Sequence, residues 1–227
     1  DADAMGIGST PHDDEIAVYV ETGDASLFEA LERLWAEMVA TKTYLTGGIG
    51  AHHSDEAFGD PYELPSERSY CETCAAISSI MFSWRMLMIT GEAKYADLVE
   101  RTLYNGFLAG LSLDGQRYIY ANPLQVREGH VARGDDHDYE RVEWFYCACC
   151  PPNVMRTLAS LEHYVLLGGD TRVALHQYMT GRYAAGVARG EVWMEVTTDY
   201  PWDGTITIRI ASAPAGRWEL AIRVPDW

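Results

Sequence analysis

Trp-Phe-Tyr-Cys-Ala-Cys-Cys-Pro-Pro-Asn-Val-Met-Arg occupies residues 144–156. Three of the five cysteines, Cys147, Cys149 and Cys150, lie in this stretch, followed at once by two prolines and then by apolar residues at helical period. Proline is favoured in the first turn of a helix, where its missing N–H would be unpaired anyway. The spacing therefore predicts a helix N-terminus at Cys149 and Cys150. Unpaired N–H groups and the helix dipole favour negative charge at such an end and lower a thiol's pKa. The other two cysteines, Cys71 and Cys74, stand far upstream in Tyr-Cys-Glu-Thr-Cys-Ala-Ala. Two clusters on separate elements point to one shared metal site; buried free thiols or a single disulfide are the alternatives.

Downstream, the helix after Pro151 is expected to run through Val154, Leu158, Leu161 and Val165 and to stop at Gly168-Gly169. Beyond it the apolar period changes from about 3.6 residues to about 2. Residues 173–179, 182–188, 191–197, 205–210 and 217–224 are short β-rich runs separated by Gly, Pro or Asp, and Trp218, Leu220, Ile222 and Val224 alternate with charged or small residues. That is the pattern of antiparallel sheet with one wet face.

Upstream, Leu27, Leu31, Leu34, Trp35 and Met38 form one apolar face of a helix that Asp24 or Ser26 can cap. Ile77, Ile80, Met81, Trp84, Leu87 and Met88 mark a helix from Thr73 to Gly91, and Tyr95, Leu98, Val99, Leu103, Phe107 and Leu108 mark the next. The short Thr-Gly-Glu between them implies an antiparallel helical hairpin. Tyr118 to Tyr120 reads as extended, and residues 1–14 and 127–140 as loop; Ile16 to Val20 has no clear period. Residues 46–70 form a long connection of a kind that is usually functional in a compact domain. The chain thus divides into a helical domain, residues 1–168, and the start of a β domain, residues 169–227, an α+β multidomain chain whose paired helices fit an α-toroid.

Composition narrows the partners. Seventeen basic against thirty-four acidic residues give a net charge of −17, which argues against nucleic acid or anionic lipid as the main partner. A neutral carbohydrate substrate fits better, and seven Trp and fourteen Tyr agree with that. Nearly adjacent cysteines suit metal in a reducing compartment, so the expected location is cytoplasmic. No signal peptide and no run of about 18 apolar residues is visible, so no membrane span is expected.

Zinc takes four N, S or O ligands, and the candidates Cys71, Glu72, Cys74, Cys147, Cys149 and Cys150 exceed that number. Cys71 and Cys74 with two later cysteines would make a closed all-sulfur structural site; residue chemistry alone does not choose the four. Glu56, with Asp55 beside it, is a loop carboxylate, more often a solvated charge than a catalyst. His52 and His53 can add ligands but read as loop surface, and Asp135, Asp136, His137 and Asp138 read as a solvated charge run rather than a cation site.

Six stretches in order change this balance: Thr-Gly-Gly-Ile-Gly (46–50), Glu-Ala-Phe-Gly-Asp-Pro-Tyr-Glu-Leu-Pro (56–65), Tyr-Cys-Glu-Thr-Cys-Ala (70–75), Glu-Arg-Thr-Leu-Tyr-Asn-Gly (100–106), Tyr-Ala-Asn-Pro-Leu (120–124) and Cys-Ala-Cys-Cys-Pro-Pro-Asn (147–153). Together they resemble glycoside hydrolase family 127, the β-L-arabinofuranosidases, over roughly residues 20–227. The resemblance implies part of an (α/α)6 barrel followed by an antiparallel β-sandwich, and one zinc held by Glu72, Cys74, Cys149 and Cys150. It implies Cys149 as nucleophile, Glu56 as general acid/base and Tyr120 as a sugar contact, leaving Cys71 and Cys147 outside the metal shell. The activity expected is retaining hydrolysis releasing β-L-arabinofuranose from glycans or glycopeptides. A non-catalytic zinc-stabilised carbohydrate-binding module and a redox or metal sensor are the alternatives. Asp55 replaces the family's usual glycine beside the acid, where it either raises the pKa of Glu56 or points away. The earlier barrel helices, with a substrate-side histidine, are not recognisable, so the chain is expected to hold the catalytic half of an incomplete site. Little turnover and self-association, with a homodimer as one form, are expected of it alone.

Overall fold

A computed structural model describes residues 12–127 and 139–227. The loop reading of residues 1–11 and the acidic run at 135–138 lie outside the described residues. The chain separates into two compact units, residues 1–90 with 98–157, and residues 91–97 with 158–227.

The first unit is helical. α1 (His12–Thr22) extends through the stretch whose type the sequence leaves open and takes in residues 12–14, read as loop. Its period is weak because Ile16 is buried while Val18 and Val20 face out. α2 (Ala25–Thr41) is capped by Asp24, whose carboxylate accepts from the Ser26 amide at 2.9 Å. Leu31 and Trp35 are its buried residues, and the Trp35 indole donates to Ser83 Oγ at 3.0 Å.

α3 (Thr73–Thr90) is apolar nearly all round and ends at Gly91, whose φ of 70° is the left-handed geometry of a helix stop. It is long and apolar enough, by length and composition, to cross a membrane, which the sequence reading did not anticipate. However, 67% of it is buried, as in the central helix of a soluble core. α4 (Ala93–Thr102) passes into a π-helical turn at Leu103–Phe107 and a 3-10 turn at Leu108–Gly110, where the periodicity suggested one continuous helix.

The long connection before α3 packs tightly on that π-helical region. Gly47 has φ 81°, and a Cβ on it would stand 2.2 Å from Thr102 Oγ1. Only glycine meets both constraints. α5 (Cys150–Ala159) begins at Cys150 but ends six residues before the expected Val165. A 3-10 turn at Leu161–Tyr164 follows, and Val165 is buried in the β core instead.

In the second unit, β1 (Leu166–Gly168), β2 (Arg172–Leu175) and β6 (Glu219–Ile222) form one three-stranded sheet. β3 (Gly181–Val187), β4 (Gly190–Thr198) and β5 (Ile206–Ser212) form an antiparallel second. The alternation expected at Trp218, Leu220, Ile222 and Val224 fails past Leu220, since Ile222 and Val224 are exposed and Arg223 is buried between them; it is clearest in β4, where Val192, Met194 and Val196 are buried in turn. They pack with Val173 and Leu175 of β2 in the other sheet and with Ala185 of the neighbouring β3, which makes the sandwich core. One pairing departs from the antiparallel expectation: β6 runs parallel to β2, with Val173 opposite Leu220. Alternation marks which face is buried but not which neighbour a strand finds, and β6 returns to the first sheet only after the chain has built the second. Behind β6, Arg223 is buried, pairs with Asp97 and donates to the His176 carbonyl at 2.6 Å.

Candidate active site

The site is built on two helix starts and one short extended segment, all in the first unit. Residues 70–73 are stitched to residues 119–122. The Thr73 amide donates to the Tyr120 carbonyl at 3.0 Å, the Thr73 hydroxyl to the Ile119 carbonyl at 2.7 Å, and Glu72 bridges to Ala121. This pairing sets Glu72 and Cys74, at the head of α3, beside Tyr120. Cys149 and Cys150 arrive from the head of α5, where Pro151 and Pro152 fill positions that need no amide hydrogen.

The oxygen and sulfur atoms of Glu72, Cys74, Cys149 and Cys150 lie within 4.8 Å of one another. Cys74 Sγ is 3.4 Å from Cys150 Sγ, and Glu72 Oε1 is 3.4 Å from Cys149 Sγ and 3.7 Å from Cys150 Sγ. One carboxylate and three sulfurs in this space is a donor set that suits zinc. Glu72 itself supplies the test of fit. It is 1% exposed, Oε2 has no hydrogen-bond partner among the described residues, and burial, with Cys149 and Glu56 nearby, pushes its carboxyl up to about 8. A buried carboxyl whose second oxygen is left unsatisfied beside three sulfurs is costly. A divalent cation offsets that cost, so the residues present fit the metal.

The thiols are strongly unequal. Hydrogen bonds from Cys150, Cys74 and Tyr120 hold Cys149 well below the ordinary thiol range, whereas Cys149 and Cys74 push Cys150 far up. Cys149 is also the more accessible: it is half-buried and Cys150 fully buried. Asn153, one turn into α5, donates to Cys74 Sγ at 2.9 Å.

Glu56 reaches the cluster from the long connection, in a 3-10 turn at Ser54–Glu56. Asp55 and Glu56 both have left-handed backbone, with φ 59° and 50°. Such geometry costs about 1–3 kcal/mol for each non-glycine residue and gathers at functional sites. Asp55 is exposed, whereas the Glu56 carboxylate turns inward. Its Oε1 accepts from the Tyr70 hydroxyl at 2.7 Å and the Tyr120 hydroxyl at 3.4 Å. The Tyr120 hydroxyl is also 3.3 Å from Cys149 Sγ and 3.8 Å from Cys147 Sγ. Phe145, buried, sets its ring edge against Tyr120 at 5.4 Å.

The six residues that the family resemblance implies for the site, Glu56, Glu72, Cys74, Tyr120, Cys149 and Cys150, are therefore in one neighbourhood. Cys71 and Cys147 are not in the four-donor cluster. Cys71 is buried, and burial pushes its thiol up to about 12; Cys147 is exposed at the rim near Tyr120. His52 pairs with Glu63 at 2.8 Å, and His53 sets its ring against Tyr70. Sequence reasoning passed over Tyr70, Phe145 and Asn153. Asn153 carried a signal, standing one helical turn beyond the cysteines; Tyr70 carried none, because nothing in its spacing says that it meets Glu56.

Residues 14–163 match the GH127 catalytic domain of β-L-arabinofuranosidase, and residues 172–227 match the GH127 middle domain. The chain is 37% identical over 215 residues to the non-reducing end β-L-arabinofuranosidase of Bifidobacterium longum subsp. longum, covering 90% of this chain and 32% of that protein. A solved GH127 β-arabinofuranosidase is 39% identical, with TM-score 0.84 over 95% of this chain and 32% of its own. A GH127 β-L-arabinofuranosidase from Geobacillus stearothermophilus T6 is 36% identical, with TM-score 0.86 over 95% of this chain and 34% of its own. The chain thus spans about a third of the length of the relatives it matches. Helices followed by sheets at this similarity bear out a partial (α/α) barrel with a β domain.

Proposed function

This chain belongs to the GH127 β-L-arabinofuranosidase family, and on that premise we propose that it carries the reacting groups of a zinc-dependent retaining glycosidase that releases β-L-arabinofuranose from glycans or glycopeptides. In this reading Glu72, Cys74, Cys149 and Cys150 hold the zinc, Cys149 is the nucleophile, Glu56 the general acid/base and Tyr120 a sugar contact. The observation that carries it is the Tyr120 hydroxyl, which lies 3.3 Å from Cys149 Sγ and 3.4 Å from Glu56 Oε1. One group that meets both nucleophile and acid marks where an anomeric carbon would sit between them.

When bound, zinc would favour the thiolate form of Cys149 and neutralise the carboxylate of Glu72. The protein's own groups do the rest. Cys149 Sγ forms a bond to the anomeric carbon while the bond to the leaving oxygen breaks, and Glu56 gives that oxygen its proton. Water then attacks the same carbon, Glu56 takes a proton from it, and the carbon–sulfur electron pair returns to Cys149. Two displacements on one carbon retain its configuration. The thiols of the described residues are all free, which suits the reducing cytoplasm proposed as its location.

The test is the configuration of the first-formed sugar when the full-length holoenzyme hydrolyses an aryl β-L-arabinofuranoside, followed by proton NMR before mutarotation. The β anomer is expected. An α product would remove the covalent mechanism, and no hydrolysis of any furanoside would leave the cluster as a structural metal site in a binding module.

A further inference from the structure

We propose that Tyr70 is the positioning residue of the acid/base: its hydroxyl fixes Glu56 Oε1, so that Oε2 alone gives the proton to the leaving oxygen and takes it from water. This rests on the assignment of Glu56 as acid/base made above. Three observations carry it. Glu56 sits on a backbone that does not hold it by itself, since Asp55 and Glu56 are both left-handed, and a strained turn keeps its shape only if its surroundings over-determine it. The short contact to the carboxylate comes from a rigid place. Tyr70 is 1% exposed, and its neighbours are locked by the Asn122 amide, which donates to the Tyr70 and Cys71 carbonyls at 3.2 and 3.3 Å. The same segment carries Glu72, so the frame that places the metal donor also places the acid. Finally, the two oxygens of Glu56 differ. Oε1 receives both tyrosine hydroxyls, at 2.7 and 3.4 Å, and no hydrogen bond reaches Oε2 among the described residues.

The consequence is a division of labour within one carboxyl group. In the first step the proton leaves Oε2 for the glycosidic oxygen, which departs with the electron pair of its bond to carbon, while Cys149 Sγ supplies the new pair. In the second step Oε2 accepts a proton from water as the water oxygen bonds to carbon and sulfur leaves. Oε1 stays anchored to Tyr70 throughout, so the carboxyl swings about a fixed oxygen rather than leaving the site.

The experiment compares Tyr70→Phe, Glu56→Gln and the double variant of the full-length holoenzyme on an aryl and an alkyl β-L-arabinofuranoside. Zinc content and thermal midpoint are read alongside. Tyr70→Phe is expected to keep its zinc. It should lose about tenfold or more in kcat/KM on the alkyl substrate, part of the ~10²–10⁴ that a general acid supplies. The aryl substrate, which needs little protonation, should keep its rapid first turnover while sugar accumulates on Cys149, detected by peptide mass spectrometry. The double variant should be no slower than Glu56→Gln alone, because Tyr70 acts only through Glu56. Equal losses on both substrates, a further loss in the double variant, or a Tyr70→Phe protein that misfolds or sheds zinc would assign the hydroxyl to the core and overturn the proposal. A Glu56→Gln enzyme that treats both substrates as the wild type does would instead sink the acid/base assignment on which it rests.

Discussion

At the residue scale the site is a set of unequal partners. Cys149 and Cys150 are sequence neighbours at one helix end, yet only Cys149 meets Tyr120 and stays accessible. An aryl arabinofuranoside given to Glu56→Gln should therefore show a burst and then stall, with one pentosyl group on Cys149, since no base activates water against the adduct. Peptide mass spectrometry checks this; a group on Cys150 or on a carboxylate would reassign the nucleophile. A second residue, in the β unit, predicts a pH dependence of stability. His176 is buried, and burial, then Arg223 and Arg172, hold it at about 4, below its ordinary 6.5. The folded state favours neutral imidazole, so its contribution is complete above pH 6.5 and is lost as pH falls through about 4. The shift corresponds to on the order of 3 kcal/mol. Urea unfolding at pH 7 and pH 4 should show His176→Phe losing less stability on acidification than the wild type; equal losses would discard the argument.

At the element scale, what matters is how the connection carrying Glu56 is held to helices. Residues 46–50 lie against the end of α4 and the π-helical turn after it, and the fit is closest at Gly47. Gly47→Ala meets a left-handed backbone and a Cβ 2.2 Å from Thr102 Oγ1, with the Thr102 Cα at 2.7 Å. Neither the side chain nor the backbone can yield cheaply. A loss of roughly 2–5 kcal/mol is expected from strain and overpacking together. Thermal unfolding measures it, and a substitution within 0.5 kcal/mol of the wild type would show that the connection is looser than described. Helix α5 shows the same dependence on context from the other side. Its start follows from prolines and cysteines in the chain, but its end is set by the demand of the β core for Val165.

At the scale of the whole molecule, the four-donor cluster brings together two segments that the chain separates widely. Glu72 and Cys74 stand at the head of α3, and Cys149 and Cys150 at the head of α5. Metal that binds only the folded form stabilises it by mass action, about 4 kcal/mol at a thousandfold excess over Kd. Purified holoprotein is expected to hold one zinc per chain, and a strong chelator to lower its thermal midpoint reversibly. Cys71→Ser should keep the metal, whereas Glu72→Gln and Cys150→Ser should lose or weaken it. The opposite pair of results, metal lost from Cys71→Ser and kept by Glu72→Gln, would establish an all-sulfur site. Metal analysis and calorimetry distinguish the two.

Some of this protein is determined by local chemistry and is readable without a fold. The switch from helical to strand period, the Asp24 cap, the stop at Gly91 and the helix start at Cys150 each depend on residues a few positions apart, so the chain states them directly. The motifs also identify the family, and with it the residues to look at. What the chain could not state is which of six candidate ligands share a space, because that depends on the pairing of residues 70–73 with 119–122, two segments remote in sequence. The same holds for Tyr70 on Glu56, for the parallel β2–β6 pairing and for the early end of α5. Each is a choice between locally equivalent options, and only long-range packing distinguishes them.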